Sequence, residues 1–102
     1  MGLRVLIETE TGEPIDRVED PTNVLHRLLP KPEDPRFRYL GTIDWYGDTV
    51  FNYLQIPQFL KEWSQITGMA SVPSESVLMR TIEKMAERVG NERHLYLKFY
   101  GD

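Results

Sequence analysis

The most distinctive run of polar side chains lies at residues 42–52, with the sequence Thr-Ile-Asp-Trp-Tyr-Gly-Asp-Thr-Val-Phe-Asn. It holds two carboxylates four residues apart, Asp44 and Asp48, which could bind a hard cation or act as a general-acid pair. The spacing lacks the alternating Asp-x-Asp-x-Asp-Gly of a calcium loop. Aspartates in a tight turn more simply accept hydrogen bonds from backbone N–H groups. We therefore expect both aspartates to cap a turn, and we predict no metal site.

Aromatic side chains are the second notable feature, because Tyr and Trp dominate the energetics of protein interfaces. Trp45 and Tyr46 lie between the two aspartates, and Trp45 is expected either at the surface or folded back onto the core. Tyr96 and Tyr100 fall on the outward positions of the last predicted strand. The predicted partner-binding residues are Trp45, Tyr46, Asp44, Asp48, Tyr96 and Tyr100.

Signatures of catalysis and of cofactor binding are otherwise missing from the sequence. There is no cysteine, and the two histidines, His26 and His94, are 68 residues apart, so no zinc signature exists. No glycine-rich strand-to-helix turn that could cradle a phosphate occurs. We predict no cofactor. One enzymatic alternative stays open, in which Asp44 or Asp48 meets a histidine in a pocket.

Charge and composition narrow the classes of partner. The chain has 102 residues and a formal net charge of −4. Residues 8–34 hold eight acids and three bases, a net −5, so the rest carries +1. An acidic field steers a basic partner and repels nucleic acid. No segment approaches the roughly 20 apolar residues of a membrane span, and the absence of cysteine suits the cytoplasm.

The segment from Ile43 to Gln55 resembles one found in small uncharacterised bacterial proteins. They share an Ile-Asp-x-Tyr-Gly-Asp-Thr-Val-Phe-Asn core, which residues 43–52 match at each specified position. The resemblance covers much less than half of the chain. It implies a bacterial, cytosolic origin and carries no activity and no functional residues.

The elements expected in the first half follow from hydrophobic periodicity. Alternation predicts a strand at Leu3–Thr9 and a short returning strand at Ile15–Val18, joined by a glycine-containing turn. Asp20 as N-cap and Pro21 in the first turn predict a short helix that ends before Pro30. A proline-rich connector then leads into a predicted strand at 36–44.

The second half is expected to start with a hairpin. A turn at 44–48, with Gly47 in a left-handed conformation, would join the preceding strand to a strand at Thr49–Leu54. Apolar stripes predict helices at Pro57–Thr67 and from Ser74 to just before Gly90. Alternation returns at Arg93–Tyr100. This order predicts a single α+β domain over residues 1–102, with a four- to five-stranded, mostly antiparallel sheet and helices packed on one face.

Three functions are compatible with this pattern. The first is a small acidic protein–protein interaction module, for example an immunity or inhibitor-type protein that binds a larger bacterial protein. The second is a small enzyme or ligand-binding protein that uses Asp44, Asp48 and a histidine. The third is a homo-oligomeric structural protein whose terminal strand pairs across a two-fold axis.

Overall fold

The computed structural model of the protein describes residues 3–101; residues 1, 2 and 102 of the predicted domain lie outside that range. Four antiparallel strands form one sheet in the order β2-β1-β4-β3. The strands are β1 (Arg4–Thr9), β2 (Pro14–Glu19), β3 (Asp48–Phe51) and β4 (Leu95–Tyr100). The predicted α+β class with an antiparallel sheet is confirmed.

Three α-helices and one 3₁₀ helix complete the structure of residues 3–101. They are α1 (Val24–Leu28), the 3₁₀ helix (Leu40–Thr42), α2 (Ile56–Thr67) and α3 (Pro73–Asn91). Each of the two long helices has a proline in its first turn, where the missing N–H has no intrahelical partner to lose.

The hairpin of β1 and β2 is closed by a turn at Gly12, which adopts a φ of +86°. A glycine suits this position because the left-handed region carries a steric cost for residues with a Cβ. The N–H of Gly12 donates to the carbonyl of Thr9 at 2.9 Å. The register shifts between Ile7 and Glu8, so Ile15 is an extra residue on β2.

The two long helices cover one face of the sheet. Strand side chains on this face are fully or nearly fully buried, and aromatic rings from α2 pack against them. The indole of Trp63 stacks on Phe59 and donates from Nε1 to the carbonyl of Met79 on α3 at 2.9 Å. The strand residues concerned are Val5, Ile7, Phe51, Leu95, Leu97 and Phe99.

The predicted strand at 36–44 is wrong. The chain forms turns there and then the 3₁₀ helix. Phe37 in the turns and Leu40 at the start of the helix are both buried. The physical reason lies on α2, where the buried carboxylate of Glu62 accepts the N–H groups of Tyr39 and Leu40, each at 3.0 Å. These bonds satisfy backbone donors that a strand would have used in a ladder.

The predicted hairpin at 44–48 is also wrong, because β3 pairs with β4 and not with the preceding segment. Gly47 does not adopt a positive φ; among residues 3–101 only Gly12 and Asn23 do. The loop is tied to the end of β4, since the N–H of Gly101 donates to the Gly47 carbonyl at 2.7 Å. A Cβ at position 101 would lie 2.3 Å from the carbonyl oxygen of Trp45, so only glycine permits this approach.

Helix α1 starts later than predicted. Its N-cap position is Asn23, which has a left-handed φ of 58°, and Pro21 lies before the helix. Asp20 nevertheless caps it, because its buried carboxylate accepts the N–H groups of Val24 and Leu25 at 2.8 and 2.7 Å. The other predicted helices and strands are present, with bounds that differ by at most three residues.

Candidate protein-interaction surface

The strand side chains that point away from the helices form what we call the outer face. The registers place Arg4, Tyr100 and Asp48 side by side across three strands, and Leu6, Lys98 and Val50 in the next row. Glu8 and Tyr96 form a third row, and Arg17 and Glu19 flank the face on β2. A sheet face without a covering helix usually carries polar side chains, and this one mixes them with aromatic rings.

A buried carboxylate anchors the outer face. Glu8 is only 6 % exposed. The Tyr100 hydroxyl donates to it, and Lys98 Nζ lies 3.4 Å from its Oε1. These partners compensate the carboxylate for the water it loses on burial. Contact with the Tyr100 hydroxyl, and then the charge of Glu8, raises the pKa of Lys98 above its ordinary 10.5 although burial opposes the shift, so Lys98 is an ammonium at neutral pH.

Cations hold the ring of Tyr100 in place. The Arg4 guanidinium carbon lies 5.5 Å from the ring centroid, and Lys98 Nζ lies 4.8 Å from it. Both distances suit cation–π attraction. Tyr100 is thus fixed by its hydroxyl and by its ring, while part of its surface stays accessible to solvent.

Tyr96 lies at the other end of the same strand. Because the pairing of β3 with β4 ends at Phe51 and Leu97, Tyr96 has a paired neighbour only on the β1 side, where it faces Glu8. An open depression of about 220 Å³ lies here. It is lined by Glu8, Thr9, Glu10, Gly12, Val50, Tyr96 and Lys98.

The loop before β3 adjoins the Tyr100 end of the outer face. Asp48 begins β3 directly opposite Tyr100, and the Gly101–Gly47 hydrogen bond holds the preceding loop there. Tyr46 in this loop is 83 % exposed, more than the other large hydrophobic side chains at the surface of the described residues. The structure therefore brings Tyr46, Asp48 and Tyr100 to one end of the sheet.

The sequence left open whether Trp45 lies at the surface or folds back onto the core, and the structure shows the second arrangement. Trp45 is half-buried and packs against the core, with its ring centroid 4.7 Å from that of His26 in an edge-on arrangement. Trp45 therefore positions the loop and offers little free ring surface.

Asp44 has the predicted turn-capping role. Its carboxylate accepts the Tyr46 N–H at 2.9 Å, and its own N–H donates to Thr49 Oγ1 at 2.9 Å. Asp48 is exposed. Within residues 3–101, no group of three or more acids and histidines is arranged to hold a metal ion.

One histidine of the enzymatic alternative, His94, lies far from Asp48. His94 is 80 % exposed and precedes β4, where its Nδ1 lies 3.9 Å from Glu10. Asp48 pairs with the far end of that strand, about 20 Å away at the usual rise per residue. His26 contacts the ring of Trp45, the neighbour of Asp44 in the chain, while the Asp44 carboxylate accepts the Tyr46 N–H.

Three important residues of the outer face, Arg4, Glu8 and Lys98, were not predicted as site residues. Strand alternation puts them on the outward side, yet it cannot show that Glu8 and Tyr100, 92 residues apart, share a hydrogen bond. That contact depends on the pairing of the first strand with the last.

No helix in the described residues is long and apolar enough to cross a membrane. Comparison of the chain with protein-family models, with curated proteins and with solved structures finds no significant match.

Proposed function

We propose that this protein is a small protein–protein recognition module that binds its partner through the outer face of the sheet and the adjoining Tyr46 loop. The observation that carries the proposal is the set of accessible tyrosines, Tyr46, Tyr96 and Tyr100, on a sheet face that the two long helices leave open. Tyrosines of this kind are enriched in protein interfaces.

The order of this surface supports the proposal. Binding costs conformational entropy for each side chain that must be immobilised. Tyr100 is already held by Glu8, Arg4 and Lys98, and the Tyr46 loop is held by Gly101. Less freedom is therefore lost when a partner contacts these groups.

An immunity or inhibitor-type role in a bacterial cytoplasm fits this surface best. Such a protein must find one larger protein quickly and block it. The acids in the first third of the chain would accelerate the encounter with a basic partner. The tyrosines would supply contacts at short range.

Site-specific photo-crosslinking in the bacterial host tests the proposal. A photoreactive phenylalanine would replace Tyr46 or Tyr96 in turn, and Gln65, exposed on α2, would be the matched control position. We expect one crosslinked protein from positions 46 and 96, and none from position 65. Absence of a crosslink from both tyrosine positions, or equal crosslinking from position 65, would exclude the outer face as the binding surface.

Homo-oligomerisation remains an alternative, but most of the terminal strand is already paired. Residues 97–100 of β4 pair with β1 on one edge and with β3 on the other. On the edge strand β2, the N–H of Arg17 already donates to the carboxylate of Asp16 at 2.8 Å, so this donor is not free for a second copy.

A further inference from the structure

We infer that the partner inserts a basic side chain, with arginine as the best fit, into the depression between Tyr96 and the β1–β2 hairpin. This inference rests on the proposed function, because it names the chemistry that the outer face would recognise. The occupant is a protein segment with a cationic group at its centre.

The charge distribution supports a cationic occupant. Residues 8–19, which form most of the hairpin, contain five acids and one base. Their net charge of −4 equals the net charge of the whole chain, so the remaining residues are neutral as a group. These residues border the depression and give this end of the protein a negative charge, which attracts cations.

The charges that line the depression also favour a cation. Glu8 and Glu10 provide two carboxylates, and Lys98 provides one ammonium. Lys98 lies 3.4 Å from Glu8, so these two charges largely offset each other. Glu10 is exposed at the rim, and within residues 3–101 its only charged contact is the weak one with His94 at 3.9 Å. The carboxylate of Glu10 is thus available to an incoming cation.

The shape and the apolar lining favour arginine over a small cation. Tyr96 can accept the flat face of a guanidinium, which binds aromatic rings by cation–π attraction and stacking. Val50 is well exposed on β3 and offers an apolar contact for the methylene groups. The volume of about 220 Å³ has room for one such side chain.

A titration followed by ¹H–¹⁵N NMR tests the inference without a known partner. The probes are arginine blocked at both ends, the equally blocked citrulline, which is the neutral isostere, and blocked glutamate. We expect blocked arginine to shift the amide signals of Glu10, Gly12 and Tyr96 in a saturable way. Blocked citrulline should produce shifts at least threefold smaller at the same concentration.

Two variants locate the effect, and a third controls for overall charge. Glu10→Gln and Tyr96→Leu should each weaken binding of blocked arginine at least threefold. Glu33→Gln removes the same charge from an exposed site in the proline-rich connector and should leave the titration unchanged.

Several outcomes would overturn the inference. The first is an equal amide shift with blocked arginine and blocked citrulline, and the second is a shift confined to residues outside the depression. The third is unchanged arginine binding in both variants. The fourth is preferential binding of blocked glutamate, which would indicate an anion site at Lys98. The crosslinked partner separates this inference from the proposed function. A partner that crosslinks at Tyr96 yet binds the Glu10→Gln and Tyr96→Leu variants as tightly as the wild type supports the function and refutes the arginine contact.

Discussion

Tyr100 faces Asp48 across the β4–β3 ladder, and its hydroxyl donates a hydrogen bond to Glu8 on the other neighbouring strand. Tyr100 thus links the last strand to the first through its side chain, and its backbone position faces the start of β3. The outer face depends on this connection for its order, because the bond satisfies a carboxylate that is removed from water.

Replacement of Tyr100 with phenylalanine should therefore destabilise the fold while preserving the ring. Hydrogen bonds to charged groups contribute about 1.5–3 kcal/mol, and we expect a decrease of about 2 kcal/mol in the free energy of unfolding. Urea denaturation measures this change. Tyr46→Phe is the matched control, since the exposed Tyr46 ring should change stability by less than about 0.5 kcal/mol. Equal stability of Y100F and wild type would show that Lys98 alone satisfies Glu8.

Removal of the Glu62 carboxylate should have a larger effect. Glu62→Ala leaves the N–H groups of Tyr39 and Leu40 without their acceptor in a buried region, and each such loss costs about 1–3 kcal/mol. We expect a total of roughly 2–5 kcal/mol in denaturant unfolding. Glu62→Gln keeps an acceptor oxygen and should lose less than half as much. If both variants unfold like the wild type, the carboxylate does not determine the conformation of residues 36–44.

Glu75 at the start of α3 should titrate far below an ordinary glutamate. The hydrogen bond from Arg27, and then the Ser71 N–H at 2.8 Å, lower its pKa from 4.5 to about 2. Because the folded-state pKa is depressed, the stabilisation is complete above about pH 4.5 and is lost as the pH falls towards 2. Carboxyl ¹³C NMR of Glu75 should show this low midpoint.

The variant Arg27→Gln should move the Glu75 midpoint part of the way back towards 4.5 and reduce the dependence of stability on pH in that window, because the hydrogen bond from the Ser71 N–H remains. A Glu75 midpoint that is the same with and without Arg27 would refute the assignment of the shift to this ion pair.

The parts of the fold that were predicted correctly have local signals. Alternation in β1 and β4 and the apolar stripes of α2 and α3 specify which side chains face the core between the sheet and the helices. The segment at 36–44 also alternates, but its conformation is determined by Glu62, 22 residues beyond Leu40, which no local pattern reveals.

In the candidate site, too, some residues could be predicted from local patterns and others could not. Tyr96 and Tyr100 could be placed on the outward side from alternation alone, and Asp44 could be assigned to a turn from its residue type. The burial of Trp45 could not be predicted, because it depends on the contact with His26 on α1. Glu8 was missed because its partners, Lys98 and Tyr100, become neighbours only when the first and last strands pair.

The most direct test of the central claim is the affinity of the partner identified by crosslinking for the purified Tyr46→Ala/Tyr96→Ala double variant. Truncated interface aromatics typically cost 2 kcal/mol or more at the centre of an interface, so we expect the dissociation constant to rise at least about thirtyfold. The unfolding free energy should stay close to that of the wild type, and Gln65→Ala should bind normally. A double variant that binds as tightly as the wild type would contradict recognition through the outer face.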